Sequence, residues 1–162
     1  MREAIASAVE SRGGFTGTRV LDLFAGTGAM AIEALSRGAA HAVLVEKDRH
    51  AAREIEASLA ALGLSDRASV AVVDLGRSDD AAARVGSGPF DRVFADPPYA
   101  TTDTVPALLE ALASAGLFAP DALVVVEHPS KASVALGRAF EVLATKRYGD
   151  SAVLFARYAP PG

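Results

Sequence analysis

Hydrophobic positions along this chain fall into short continuous runs, separated by longer stretches in which apolar residues recur at helical spacing. The runs predict strands near Arg19 to Phe24, Ala42 to Glu46, Val70 to Asp74, Asp91 to Ala95 and Ala122 to Glu127. They are rich in Val, Leu and Ala with few polar interruptions, the mark of strands buried on both faces. Between them, Ala29 to Arg37, Asp48 to Leu62, Asp79 to Val85 and Val105 to Ala115 read as helices, with Gly38, Gly63, Gly86 and Gly116 as their stops. An opening helix covers Arg2 to Ser11, and Arg12-Gly13-Gly14 ends it. Alternating strands and helices imply an α/β fold around a mainly parallel sheet. The pattern changes near the C-terminus, where Phe140 to Tyr148 and Ala152 to Tyr158 flank Gly149-Asp150-Ser151 and read as an antiparallel hairpin. No repeat, low-complexity tract or linker interrupts the sequence. One domain over residues 1–162 is expected, long enough to bury a substantial core.

Candidate chemistry gathers where predicted strands end. Val20-Leu21 leads into Asp22-Leu23-Phe24-Ala25-Gly26-Thr27-Gly28, and a helical pattern follows at once. Gly26 and Gly28 allow a tight turn and close approach of a ligand, and the helix amino terminus behind them favours a carboxylate-bearing or otherwise negative group. The next strand ends in Glu46, at the spacing where an acid commonly holds ribose hydroxyls. A dinucleotide would fit the loose pattern Gly26-x-Gly28-x-x-Ala31. Asp22 argues for a different ligand, because a carboxylate beside the turn suits the ammonium of an amino-acid-bearing cofactor better than a pyrophosphate. S-adenosylmethionine is therefore the expected cofactor, and Asp74 is suitably typed to accept a hydrogen bond from its adenine amino group.

Asp96-Pro97-Pro98-Tyr99 follows the apolar run Val93-Phe94-Ala95. The prolines fix their own φ and hold the residue before each extended, so the Asp96 carboxylate and nearby carbonyls are aimed in advance and Tyr99 offers a ring for stacking. In a doubly wound sheet, ligands bind beyond the carboxyl ends of the strands where the winding reverses. If the first and fourth strands are neighbours there, a methyl donor and an acceptor amine meet in one crevice. Asp96 and the Pro97 carbonyl would accept hydrogen bonds from the amine, directing its lone pair at the sulfonium methyl.

Composition narrows the field further. With no cysteine, disulfides, thiolate metal sites and thiol nucleophiles are excluded. His41, His50 and His128 are scattered, so no metal is expected, and the serines lack a nucleophile-elbow context. No apolar run approaches membrane-spanning length, which leads to the expectation of a cytoplasmic protein without membrane contact. The net charge of −4 argues against an all-over basic nucleic-acid binder. From Lys131 onward, however, Lys131, Arg138, Lys146, Arg147 and Arg157 outnumber Glu141 and Asp150. This segment reads equally as a phosphate-binding face or as a solvated hairpin.

Together these residues resemble the class I S-adenosylmethionine-dependent amino-methyltransferases and, over nearly the whole chain, the RsmD type of 16S rRNA guanine-N2 methyltransferase. The likeness is carried by Arg2-Glu3, Val20 to Gly28, Glu33-Ala34-Leu35-Ser36-Arg37-Gly38-Ala39, Asp96 to Tyr99, Val126-Glu127 and Tyr148-Gly149-Asp150. It implies a Rossmann-like, seven-stranded sheet with a reversed final strand. It implies cofactor contacts from Asp22, Phe24, Ala25, Gly26, Thr27, Gly28, Glu46, Lys47, Asp74, Leu75 and Asp96, and base handling by Asp96, Pro97, Pro98 and Tyr99. The implied partner is 16S rRNA or a small ribosomal subunit assembly, bound by a monomer. Members usually carry a basic, glycine-rich segment before the Arg-Glu helix. This sequence starts at Met1-Arg2-Glu3, so weaker rRNA affinity is expected, with less effect on the chemistry. Other readings of the same residues are an adenine-N6 methyltransferase on DNA or RNA and a catalytically weak S-adenosylmethionine-binding, RNA-associated module. A glutamine-amide methyltransferase fits less well, since those resemble Asn-Pro-Pro-Tyr, and an NAD-dependent oxidoreductase less again.

Overall fold

The structure, a computed structural model, describes residues 1–76 and 81–160. Seven strands form one sheet: β1 (Arg19–Leu23), β2 (His41–Glu46), β3 (Ala68–Val72), β4 (Phe90–Ala95), β5 (Phe118–Pro129), β6 (Phe140–Tyr148) and β7 (Ser151–Tyr158). Their order is β3-β2-β1-β4-β5-β7-β6, parallel through β5, with β7 antiparallel to both β5 and β6. The expected mainly parallel sheet with a C-terminal hairpin is what forms.

Helices cover both faces. Packed on one face, α1 (Arg2–Glu10), α2 (Ala29–Ser36) and α3 (Arg49–Ala61) bury Ile5, Val9, Leu35, Ile55 and Leu59 against Val20, Leu44, Val125 and Phe155. On the other, α5 (Val105–Ser114) buries Val105, Leu109 and Leu112 against Leu21, Val93, Val124 and Val126. Each such side chain, removed fully from water, contributes about 1.5–3 kcal/mol before the cost of ordering it. The short α4 (Ala81–Arg84) lies where a helix from Asp79 to Val85 was expected; Asp79 and Asp80 fall outside the described residues.

Two strands differ from expectation by two residues or more at both ends, each for a physical reason. The third strand runs from Ala68 to Val72 and not from Val70 to Asp74, because pairing with β2 fixes its register, Ala42 opposite Ala68 through Glu46 opposite Val72. Asp74 therefore lies in the loop beyond the strand, while Val73 still donates its N–H to the Glu46 carbonyl at 3.1 Å. The fifth strand begins at Phe118, four residues before the expected Ala122, and passes Pro120 and Asp121 at a break in its register with β4. An irregularity of this kind is where a strand tolerates proline. It also continues past Glu127 to Pro129, since β7 pairs with it as far as Ser151 opposite Pro129. A 3-10 segment from Tyr99 to Thr104, unforeseen in the sequence, joins β4 to α5.

Gly28 is the point at which the first loop is locked to the fold. It caps α2 at φ 80°, and an added Cβ would lie 3.1 Å from Leu44 Cδ2 and 3.2 Å from Ile55 Cγ2. Gly63 has a similar φ, 71°, with nothing within 4 Å of the same position. Gly63→Ala is expected to cost about 1–2 kcal/mol from backbone strain alone. Gly28→Ala adds overpacking of roughly 1–3 kcal/mol. Chemical denaturation of the two variants beside the parent measures the difference.

Candidate functional site

The winding reverses between β1 and β4. These strands pair in parallel, Leu23 opposite Ala95, and their chains leave in opposite directions, β1 into α2 and β4 into the segment before α5. A cavity of about 700 Å³ opens above them. That volume lies in the usual range of small-molecule sites, about 300–1,000 Å³. Asp22, Phe24, Ala25, Gly26, Thr27, Glu46, Lys47, Asp74, Leu75, Asp96, Pro97, Pro98 and Tyr99 all line it. Of the residues expected at the cofactor, Gly28 alone is absent from the wall. It is buried under α2 against Leu44 and Ile55, so its role is to bring helix and strand together.

The glycine loop is held from below and from the side. Phe24 turns the chain out of β1 with φ 59°, a conformation that costs a non-glycine residue energy and is found mainly where function requires it. Ala25 donates its N–H to the Val45 carbonyl at 2.9 Å, and Gly28 donates to the Ala25 carbonyl at 2.8 Å. Glu46 closes the arrangement: one carboxylate oxygen accepts from the Gly26 N–H at 3.1 Å, the other from the Asp48 N–H at 2.8 Å. A carboxylate has about four acceptor positions, so Glu46 retains capacity for two hydroxyls. Asp74, on the cavity wall, accepts from the Gly76 N–H at 3.1 Å through one oxygen, fixing a turn and leaving its other oxygen without a partner among the described residues.

Asp22 is the chemically unusual member. Its side chain is buried and accepts one hydrogen bond, from the Ala31 N–H at 3.2 Å. Burial raises its pKa to about 8; the Ala31 hydrogen bond opposes the shift and the nearby Asp96 charge adds to it. Such an acid ionises when a cation arrives to compensate it.

A second pair of acids lies across the cavity. Because Ala95 of β4 pairs with Val126 of β5, the next residues on the two strands, Asp96 and Glu127, emerge side by side. Glu127 is half-buried on the cavity wall, and its pKa is raised to about 8, by burial first and then by the neighbouring Asp96 carboxylate. Beyond Asp96, Pro97 is buried while Pro98 and Tyr99 are exposed. Tyr99 keeps 60% of its surface open, with its hydroxyl 3.0 Å from that of Ser151 at the start of β7. Within the 3-10 segment the Thr101 and Thr104 hydroxyls donate back to the Pro98 and Thr101 carbonyls at 3.1 and 2.6 Å.

Sequence reasoning did not anticipate Arg2 or Ile5 on the cavity wall. Both come from α1, and only the tertiary fold brings that helix over the crevice. Arg2 is tied to α2 by an ion pair with Glu33, 3.6 Å, and Glu33 is in turn 2.8 Å from Arg37, which holds its carboxyl below the usual range. Among the described residues no cluster of His, Cys, Asp and Glu is arranged to hold a metal ion, and no helix is long and apolar enough to cross a membrane.

Known proteins share this arrangement. The family described as Conserved hypothetical protein 95 matches residues 1–157. YlbH of Bacillus subtilis, provisionally named an rRNA methyltransferase, is 40% identical over 114 residues, which cover 70% of this chain and 61% of that protein. Ribosomal RNA small subunit methyltransferase D of Escherichia coli K12 is 37% identical over 107 residues, 66% of this chain and 51% of the relative. The aligned stretches thus span only about half to three fifths of these two proteins. A solved Escherichia coli structure, provisionally named methyltransferase yhhF, superposes with a TM-score of 0.86 at 26% identity, covering 99% of this chain and 86% of that one. The sheet order, the reversed final strand and the crevice at the reversal are those of the class I methyltransferase fold, and the chain belongs to the RsmD-type family described as Conserved hypothetical protein 95.

Proposed function

We propose that this protein is an S-adenosylmethionine-dependent methyltransferase that acts on the exocyclic N2 amine of a guanine in small-subunit ribosomal RNA. The names of its relatives support the reaction class and the RNA. The choice of guanine rests on one observation, the emergence of Asp96 and Glu127 side by side from paired strands.

The residues on the cavity wall fit the cofactor. Asp22 would take the ammonium of its amino-acid end, Glu46 the ribose hydroxyls and Asp74 the adenine amino group, with Phe24 and Leu75 as apolar walls and the Gly26 loop as the floor. When bound, S-adenosylmethionine supplies an electrophilic methyl group on a sulfonium sulfur. Everything else falls to the chain itself.

An exocyclic amine is a weak nucleophile because its lone pair is delocalised into the ring. Asp96 and the Pro97 carbonyl accept its two protons in hydrogen bonds, so that the nitrogen becomes more tetrahedral and its lone pair faces the methyl. Guanine offers a further donor beside that amine, N1–H, and Glu127 stands next to Asp96 to accept it. Two adjacent carboxylates thus match two adjacent donors. The target base must leave its stack to enter, and stacking on the exposed Tyr99 ring returns roughly 1–3 kcal/mol of that cost. As the N–C bond forms the S–C bond breaks, and the methylated amine then loses a proton through Asp96 to water. Holding the reacting atoms about 3–3.5 Å apart supplies much of the acceleration.

Adenine is favoured by one feature of the same pair. With a pKa near 8, Glu127 is largely neutral at pH 7 and could donate a hydrogen bond to adenine N1. The two bases give opposite pH dependence. An ionised Glu127 accepts from guanine N1–H more strongly than the neutral acid does, so kcat/KM for guanine rises as the pH climbs through about 8, whereas an adenine enzyme would fall over the same interval. Methyl transfer to undermethylated small ribosomal subunits, followed by nucleoside analysis, is expected to yield N2-methylguanosine with the rising profile. N6-methyladenosine with a falling one would assign the enzyme to adenine.

Two substitutions separate cofactor from base. Asp96→Ala is expected to keep S-adenosylmethionine affinity and to lower kcat on the order of a hundredfold. Activity near the parent level would remove Asp96 from the mechanism. Asp22→Asn is expected to lose about 1.5–3 kcal/mol of cofactor binding, a hydrogen bond to a charged group. It should also gain stability without ligand at alkaline pH. The sign follows from the raised pKa: the folded protein binds a proton the unfolded chain has released, so stability declines as the pH rises from the ordinary 3.8 toward about 8. Asparagine removes the Asp22 share of that decline. Calorimetric titration with the cofactor and thermal melts across pH check both halves.

A further inference from the structure

The C-terminal hairpin extends the face of the sheet on which the cavity opens. Glu127 of β5 pairs with Val153 of β7, which pairs with Lys146 of β6, so the three side chains stand in one row on one face. The neighbouring row toward the hairpin turn is Pro129, Ser151 and Tyr148, and the one behind is Val125, Phe155 and Ala144. Ser151 is the residue whose hydroxyl meets that of Tyr99. A continuous track therefore leads from the Asp96-to-Tyr99 loop through Ser151 and Tyr148 to Lys146, which lies two residues, about 7 Å, further along the strand.

At the end of this track two cations share one aromatic ring. The Arg12 guanidinium, from the segment after α1, is centred 5.5 Å from the middle of the Phe155 ring, and the Lys146 ammonium is 5.7 Å from it. Among the described residues neither forms an ion pair with a carboxylate. Arg12 Nε is buried and has no hydrogen-bond partner. Arg157 of the same hairpin is different, bonded to both Asp121 and Glu141. The net positive charge of the C-terminal segment is thus not spread evenly. It is cancelled at Arg157, while Lys131, Arg138, Lys146 and Arg147 carry no ion pair among the described residues, and of these Lys146 is the one that Arg12 joins over Phe155.

Two like charges over one ring repel unless an anion lies between or above them, and a buried guanidinium nitrogen without an acceptor is costly. A phosphate above the two cations relieves the first. We infer that Arg12 and Lys146, mounted on Phe155, take a backbone phosphate of the single-stranded RNA whose target nucleotide stacks on Tyr99. The cations over the ring position the strand without reading its sequence, and the Tyr99 stacking platform lies at the other end of the track. This rests on the RNA methyltransferase reading above and adds the surface that would deliver the substrate to it.

The test uses the full chain and a fluorescein-labelled single-stranded RNA oligonucleotide, with binding followed by anisotropy over a range of salt concentrations. Lys146→Gln, at an exposed position, is expected to weaken binding severalfold and to lower the slope of log affinity against log salt by about 0.7. Arg12→Gln combined with it should deepen the loss. Arg147→Gln removes the same charge one residue on, hence from the opposite face of β6, and is expected to leave affinity within twofold of the parent. In transfer assays Lys146→Gln should raise KM for RNA and leave kcat unchanged. Parent-like affinity and slope in Lys146→Gln, an equal loss in Arg147→Gln, or no salt-sensitive RNA binding by the parent would each overturn the inference. Calorimetry with S-adenosylmethionine and a methyl-transfer assay on the parent keep the two proposals apart. A parent that binds RNA through Lys146 but transfers no methyl group would refute the enzyme and leave the docking surface standing.

Discussion

The parallel pairing of β1 with β4 is the constraint from which the site follows. Strands wound outward from β1 in one direction, through β2 to β3, must return across the sheet to begin again at β4. Connections that lead away on opposite sides leave no backbone above the seam, and the ends of β1 and β4 become the floor of an open crevice. The residues at the carboxyl ends of those strands, Phe24 after Leu23 and Asp96 after Ala95, are placed by strand register to within a residue. Loops then need only turn tightly. The left-handed Phe24 and Gly28, with the Glu46 carboxylate pinning Gly26, accomplish this on one side, and two prolines on the other.

Concentrating acid in that crevice works against stability. Asp22 and Glu127, both raised toward 8 largely by their own burial, bind protons in the folded protein that the unfolded chain would have lost at neutral pH. Hydrophobic residues of similar size would be more stable there. On the proposed reading, what the acids would supply is a site that becomes fully charged only in company: an ammonium beside Asp22, and a donor-bearing base edge beside Asp96 and Glu127. Binding energy from the ligands then offsets the desolvation of the carboxylates, and selectivity arises because a ligand lacking the matching donors leaves them uncompensated.

Much of this was legible in the sequence because the features are local. Asp22 to Gly28 and Asp96 to Tyr99 carry their own turn chemistry, and every expected strand exists within a few residues of its predicted span. Where the sequence misled, a non-local cause was responsible. Nothing in Ala68-Ser69 marks a strand start, and only pairing with β2 makes it one; nothing in Pro120-Asp121 suggests an extended strand, and only the register break with β4 accommodates it. Gly28 lies off the cavity wall under close helix packing, a use of glycine that the composition of a loop does not distinguish from close ligand approach. Arg2 on the cavity wall and the pairing of Glu127 with Asp96 depend on which elements become neighbours, information a single sequence carries only diffusely.

The charge distribution resolves an apparent conflict between an acidic protein and a polyanionic partner. A net charge of −4 describes the whole surface, yet a nucleic acid meets only the face it docks on. The acids of the proposed site line the cavity, where on that reading they would face base edges and a cationic cofactor, while Lys146 and Arg12, without an ion pair among the described residues, lie beside it. An entering strand would feel attraction at Lys146 and Arg12 before its base reached Asp96, and the carboxylates would repel a phosphate that tried to enter in place of the base. Separating the two signs by the width of a few strands orients the substrate: backbone outward over β6 and β7, base inward past Tyr99. The antiparallel hairpin is the element that makes the separation possible, since it carries the sheet beyond β5 and gives the crevice a bank on which a chain can lie.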